Sequence, residues 1–224
     1  YRLRFVQRLE AVAQPNYLTI GSAFHDAVEA MRNGGTLNDM MVAANAGNMP
    51  DDDRCVLTAM VEAYHQKYRK EADARQWKAV ELEFILPISD GVQLSGKVDA
   101  LDGGDHIYET KTVGRIDGAY IDRLWSARQT LIYNWAMNKL HERGESAGNA
   151  GDVQGVVYDL VGKPTIKRLK ATPVQKRKYV VDKGTGESRL SAKQRDRDET
   201  DAGFLGRLRE WYANHPEALH RELI

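Results

Sequence analysis

The sequence predicts an α/β fold, a mixed central β-sheet flanked by α-helices. Three observations predict it. Three strand patterns run consecutively between Val80 and Thr112, separated by the turn signals Ser89-Asp90-Gly91 and Asp102-Gly103-Gly104-Asp105. Helical patterns with apolar stripes stand before and after them. The later helical pattern leads into a strand-like apolar segment, Val153 to Val161, which can lie parallel in the same sheet.

Composition narrows the function. The 224 residues, 42% of them hydrophobic, can bury a core as one large domain or two small ones. Lys+Arg and Asp+Glu both number 32, so a nucleic-acid site has to come from local clustering rather than global charge. The single cysteine, Cys55, excludes an internal disulfide and any all-cysteine metal or iron–sulfur site. No apolar run is long enough to span a membrane and no signal-peptide pattern opens the chain, so a cytoplasmic location is expected. The chain opens abruptly at Tyr1 inside an aromatic and basic run, as one with further residues upstream would.

In chain order, Tyr1 to Glu10 is a short amphipathic helix pattern. A firmer helix opens at Thr19-Ile20-Gly21-Ser22, burying Phe24, Ala27, Val28 and Met31, and Asn33-Gly34-Gly35 stops it. His25 and Glu29 stand one turn apart beside that face; taken alone, His25 fits a satisfied, partly buried histidine. Residues 34–50 lack clean periodicity and read as an insertion or a loosely helical lid. Asp51-Asp52-Asp53 starts a helix, where carboxylates favour the N-terminal end, with Leu57, Met60, Val61, Tyr64 and Tyr68 on one stripe. Val80 to Ile88 alternates as a strand carrying Glu81 and Glu83 on one face.

The next two strands form a hairpin, and its register decides its chemistry. On the second strand Glu109 and Lys111 leave by the same face. A two-residue Gly103-Gly104 turn sets Asp99 opposite Tyr108, away from Glu109. A three-residue loop, Gly103 to Asp105, sets Asp99 opposite Glu109 and Lys97 opposite Lys111, and this register is favoured. Two carboxylates that close repel unless a cation lies between them, and a hard divalent ion suits oxygen ligands; the hairpin taken alone fits equally a surface hairpin with ordinary solvated charges.

Gly118 to His141 reads as the longest helix, with Leu124, Leu131, Ile132, Trp135 and Ala136 as core and with Gln129 and Tyr133 one turn apart. From Lys163 to Lys178 the chain carries Lys163, Lys167, Arg168, Lys170, Lys176, Arg177 and Lys178 with no acid, a run that reads either as a solvated face or as a positive cluster suited to phosphate. Residues Gly184 to Asp198 read as polar and mobile. Thr200 caps a last helix with Phe204, Leu205, Leu208, Trp211 and Tyr212 on its stripe, ending near Pro216. No G-x-x-x-x-G-K-[ST] loop is present, so no ATP-driven motor is evident.

The ordered set is G-x-x-x-H-x-x-x-E on a helix, G-K-V-D and Y-E-T-K on paired strands, and Q-x-x-x-Y on a helix. It resembles the PD-(D/E)XK nuclease superfamily, and within it the RecB-type and phage lambda-exonuclease-like branch. The resemblance covers roughly Gly21 to Tyr133 plus the strand from Val153, with residues 34–75 matching poorly. It implies a restriction-endonuclease-like core as one domain over 1–224, with a helical insertion at about 34–75 and a C-terminal helix at about 200–214. It implies metal ligation by His25, Asp99, Glu109 and the main-chain carbonyl of Thr110. Lys111 falls at the catalytic lysine, and Gln129 and Tyr133 at the helix motif that places that lysine and the DNA. The implied cofactor is Mg²⁺ or Mn²⁺, with no iron–sulfur cluster. The expected function is a metal-dependent DNA exonuclease of phage recombination type, with DNA contacted by Lys163, Lys167, Arg168 and Lys170. Possible partners are a single-strand annealing or recombination protein and further copies of the chain. The alternatives are a structure-specific or single-strand endonuclease on the same site, or a DNA-binding scaffold without turnover. One departure stands out: Val98 occupies the position where the family's acid precedes the catalytic Asp.

Overall fold

A computed structural model of the chain describes residues 16–45, 49–145 and 151–224. The amphipathic pattern at Tyr1 to Glu10 lies outside the described residues. Thirteen principal elements follow in order: α1 (Asn16–Arg32), α2 (Leu37–Ala44), α3 (Asp51–Ala74), β1 (Trp77–Ser89), β2 (Val92–Asp102), β3 (His106–Val113), α4 (Gly118–Trp125), α5 (Arg128–Glu142), β4 (Gly155–Gly162), β5 (Tyr179–Val181), β6 (Ser188–Leu190), α6 (Asp201–Asn214) and β7 (Leu219–Leu223).

Five strands form one sheet in the order β1-β2-β3-β4-β7. The first three are antiparallel, β4 returns parallel to β3, and β7 closes the far side antiparallel to β4. The sheet is therefore mixed, as the sequence predicts. One face carries α1, α2, α3 and α6 around Phe24, Met40, Met60, Tyr64, Phe204 and Leu208. The other carries α4 and α5 over Phe84, Leu86, Val98, Leu101, Ile107 and Leu160. Among the described residues no helix is long and apolar enough to cross a membrane.

Local sequence explains most of these elements. The stripe Phe24, Ala27, Val28 and Met31 is buried, and Gly34, at φ +85°, ends α1 in a left-handed turn. The acids at 51–53 open α3, which at 24 residues is the longest described helix. Thr200 caps α6 by accepting from the Gly203 amide. The β2–β3 hairpin takes the three-residue loop, because Asp102 Oδ1 accepts from the amides of Gly104 and His106, both at 2.9 Å, and Asp105 tolerates φ +60°.

Several expectations are corrected. The helix expected over Gly118 to His141 is two helices. Ser126 Oγ donates to the Arg123 carbonyl, a local bond that competes with helix continuation, and Ala127 is extended before α5 restarts. Leu131, Ile132 and Trp135 are consequently exposed, while Thr130, Ala136, Met137 and Leu140 turn inward. Within 34–45, described residues contribute to the core rather than to a loose lid: a Thr36/Asp39 capping box starts α2, which buries Met40 and Ala44; residues 46–48 lie outside the described residues. The polar stretch Gly184 to Asp198, for which no strand was expected, supplies β6 of a two-stranded hairpin with β5. Strand β7, past Pro216, was not expected.

Candidate active site

The β2–β3 hairpin pairs regularly only near its turn, Ala100 opposite Tyr108 and Leu101 opposite Ile107. This is the register that sets Asp99 opposite Glu109. Beyond it the ladder opens, and the Thr110 amide donates to Asp99 Oδ2 at 2.8 Å instead of to a β2 carbonyl. Around Asp99 the strand also loses its strict alternation: Val98 and Leu101 share the α5-side core, whereas Ala100 joins Tyr108 on the opposite face. Glu81, level with Asp99 on β1, has φ +54°, a conformation side chains rarely adopt and one that marks a functional or strained position. Both carboxylates therefore stand at a local opening of the sheet.

Four elements meet there. His25, on α1, brings Nδ1 within 3.2 Å of Asp99 Oδ2. Burial would raise the Asp99 carboxyl, but the hydrogen bond and charge of His25 and the Thr110 amide outweigh it and hold the group below its ordinary range. Glu109 is only 1% exposed. Burial, and then the charge of Asp99, push its carboxyl up to about 7 against the pull of Lys111. Lys111 Nζ donates to Glu109 Oε2 and to Gln129 Oε1, each at 3.0 Å, while Gln129 Nε2 reaches Glu109 Oε2 at 3.3 Å. Burial works against the Lys111 ammonium, yet the charges of Glu109 and Asp99 keep it above its usual pKa.

The donor set suits a hard cation. Among the described residues Glu109 Oε1 is buried without a hydrogen-bond partner, an expensive condition for a carboxylate oxygen unless something positive sits beside it. Among the described residues no three His, Cys, Asp or Glu side chains are gathered tightly enough to form a ready-made metal shell. Glu109 Oε2 is turned to Lys111 and Gln129, and Asp99 Oδ2 to His25 and Thr110. A divalent ion would be held by Glu109 Oε1 together with Asp99.

The PD-(D/E)XK nuclease superfamily model matches residues 1–222. The chain belongs to that superfamily. No curated protein matches it. Membership supports a nuclease activity in general, in a superfamily whose nucleases typically use divalent metal ions and act on DNA.

Within this superfamily member, the contacts of His25 with Asp99, Asp99 with Thr110, and Lys111 with Glu109 and Gln129 gather these six residues in one place. Tyr133 is next to them, but its contacts are those of a packing residue. Its ring meets Phe84 edge-on with centroids 5.5 Å apart, and both rings lie across Gly96. A Cβ on Gly96 would stand 2.4 Å from Phe84 Cζ and 2.9 Å from Tyr133 Cε1, so the glycine of G-K-V-D is required for β2 to pass beneath them.

The expected DNA contacts divide. Lys167 and Lys170 are exposed, and Lys170 makes only a 3.3 Å surface pair with Asp198. Lys163 is half-buried, and its amide donates to the Val113 carbonyl at the end of β3. Arg168 is a correction. Its guanidinium binds Asp52, Asp201 at 2.6 Å and the Glu199 carbonyl at 3.0 Å, and it lies over the Phe204 ring. A cation so fully engaged pins the loop to α3 and α6 and is not free for phosphate.

Sequence reasoning missed the support behind β3. Arg32 is buried and donates from Nη2 to Thr110 Oγ1 at 3.0 Å and towards Asp159 Oδ2 at 3.4 Å. Asp159 also accepts from the Tyr64 hydroxyl at 2.6 Å and from Arg221 Nε at 2.5 Å. Two signals pointed there. Arg32 continues the stripe through Val28, where an apolar residue is expected, and Asp159 is the lone acid in a strand otherwise apolar.

Proposed function

We propose that the chain is a metal-dependent deoxyribonuclease working from a DNA end. His25, Asp99, Glu109 and the Thr110 carbonyl would hold the ion, and Lys111 would act on the reacting phosphate. The observation that carries the reading is the orphaned Oε1 of Glu109, beside a second carboxylate and within a lysine's reach. In a strand a residue's N–H and C=O project to the same side, so the Thr110 carbonyl faces the same gap as its amide on Asp99. When bound, Mg²⁺ or Mn²⁺ polarises the phosphoryl oxygen and acidifies a water.

The chain's own groups have separable tasks. The Thr110 amide and His25 fix the rotamer of Asp99. Gln129 bridges Lys111 and Glu109, so the lysine is aimed before substrate arrives. The Lys111 ammonium can donate to the attacking water or to a phosphate oxygen as charge develops there, where a preorganised donor contributes most. Tyr133 acts at one remove, by propping β2 through Gly96. Lys167 and Lys170 would meet backbone phosphates along the approach.

Incubating end-labelled linear DNA and covalently closed circular DNA with Mg²⁺ tests the reading, with Asp99→Asn as control. The expected outcome is loss of the linear substrate alone, abolished in the variant. Cleavage of the circle would establish an endonuclease instead, and an inert wild type would leave a DNA-binding scaffold.

A further inference from the structure

We infer that the β5–β6 hairpin is a duplex-binding ribbon that grips DNA outside the cleavage site. The inference rests on the nuclease reading for its choice of DNA, but its own basis lies in the hairpin. Nothing in the catalytic arrangement uses this element.

The hairpin runs from Lys178, whose carbonyl accepts from the Ser191 amide, to a tip closed by Asp182 and Glu187. Within 178–197 stand six cations, Lys178, Lys183, Arg189, Lys193, Arg195 and Arg197, against three acids, Asp182, Glu187 and Asp196. All six cations are exposed, and none forms an ion pair among the described residues. This contrasts with Arg168, Arg207, Arg209 and Arg221, each held by a carboxylate. One of the three acids, Asp182, directs Oδ1 to the turn amides of Gly184 and Thr185 at 2.8 and 3.2 Å. In a chain whose net charge is zero, this is a separated positive surface.

The apolar residues agree. Tyr179, Val180 and Val181 are 59%, 51% and 61% exposed, so the strand buries almost nothing. A two-stranded hairpin without a covered face is marginal by itself; this one is held at its base by Gln194, which accepts from the Lys178 amide and donates to the Lys176 carbonyl. Arg189 lies opposite Val180, so one face offers a cation beside an apolar side chain. Five residues a side at ~3.3 Å each give a ribbon of roughly 16 Å. A two-stranded ribbon of that size fits a major groove about 12 Å wide and about 8.5 Å deep, with cations along its edges for the flanking phosphates. The chain reaches the ribbon from Lys163, bonded to Val113 two residues beyond Lys111, so the ribbon is tethered to the catalytic end of the sheet.

The test is equilibrium binding of two unrelated fluorescent duplexes of equal length, in EDTA so that nothing is cleaved, across a salt series. It compares the wild type with the triple variant Lys183→Ala, Arg189→Ala, Lys193→Ala. Counterion release predicts that the slope of log K against log salt flattens by about 0.9 for each phosphate contact removed. Affinity should fall by the same factor on both duplexes. Lys183→Ala alone, at the exposed tip, is the fold-neutral second variant, with a smaller shift in the same direction. An unchanged slope in both variants overturns the inference. So does loss of self-association with the slope intact, which would make the ribbon a protein interface. Cleavage of linear DNA in Mg²⁺ is scored separately. A wild type that binds with the ribbon-dependent slope but cleaves nothing defeats the nuclease reading alone, whereas active variants with an unmoved slope defeat the ribbon alone.

Discussion

At the scale of single residues, the difference between an enzyme and a binding scaffold is concentrated in Lys111. Its ammonium is aimed by Glu109 and Gln129 at 3.0 Å each, an ordering that binding alone does not require. Lys111→Ala should lower single-turnover cleavage by on the order of 10²–10³, the usual cost of one preorganised electrostatic contact. It should change the DNA dissociation constant far less, because the interaction strengthens only as charge develops. Equal losses in rate and binding would return the lysine to one positive charge among several. Gln129 and Tyr133 separate in the same assay. Gln129→Ala removes the bridge and should lower the rate, whereas Tyr133→Phe keeps the ring on Phe84 and Gly96 and should cleave near the wild-type rate. A Tyr133→Phe variant as slow as Gln129→Ala would give the hydroxyl a direct part in the chemistry.

At the scale of elements, the site is held from behind by a polar cluster joining α1, α3, β4 and β7. Asp159 accepts from Tyr64, Arg221 and Arg32, and Arg32 passes the connection on to Thr110, between Glu109 and Lys111. Asp159→Asn would leave two guanidinium groups without their shared charge. Removing one partner of a buried pair typically costs about 3–5 kcal/mol, so a large fall in the urea midpoint is expected. A fall no greater than that of an exposed Asp→Asn change would make the cluster incidental. This cluster also shows where sequence reading stops. Period-two alternation on β3 and turn chemistry at Asp102 bring Glu109, Lys111 and Asp99 together, so the hairpin was legible. Arg32, Tyr64, Asp159 and Arg221 span 190 positions of chain and meet only through tertiary packing, which no local period encodes. The α4–α5 break was illegible for another reason. One Ser126 hydroxyl outcompeted a helix pattern that continued through it, and the face assigned to Leu131 and Trp135 rotated outward.

At the scale of the whole molecule, the basic loop after β4 is tied to the helical layer by carboxylates, which makes its attachment sensitive to acid. Glu199 accepts from Arg207 at 2.7 and 2.6 Å and from the Leu169 amide at 3.0 Å, while Arg207 also donates to the Lys167 carbonyl. The bonds from Arg207 first, and then the Leu169 amide, outweigh burial and pull the Glu199 carboxyl down to about 2. A carboxyl whose folded pKa lies below its unfolded value contributes stability that is complete above the unfolded value, about 4.5, and is lost as pH falls through the folded one. The window is therefore pH 4.5 down to about 2, with no dependence from this group near neutrality. Other acids titrate in the same range, so the comparison is with Glu199→Gln, which retains the shape but loses the charge and one of the two acceptor oxygens facing Arg207. The wild type should be the more stable at pH 6 by urea midpoint, and its advantage should shrink steadily between pH 4.5 and 2.5 as the unfolded state gains the proton that the folded state refuses. An advantage independent of pH would mean that Arg207 holds Glu199 by shape rather than by charge. The hold of Arg207 and Glu199 on the backbone at Lys167 and Leu169 would then owe nothing to the charge of Glu199.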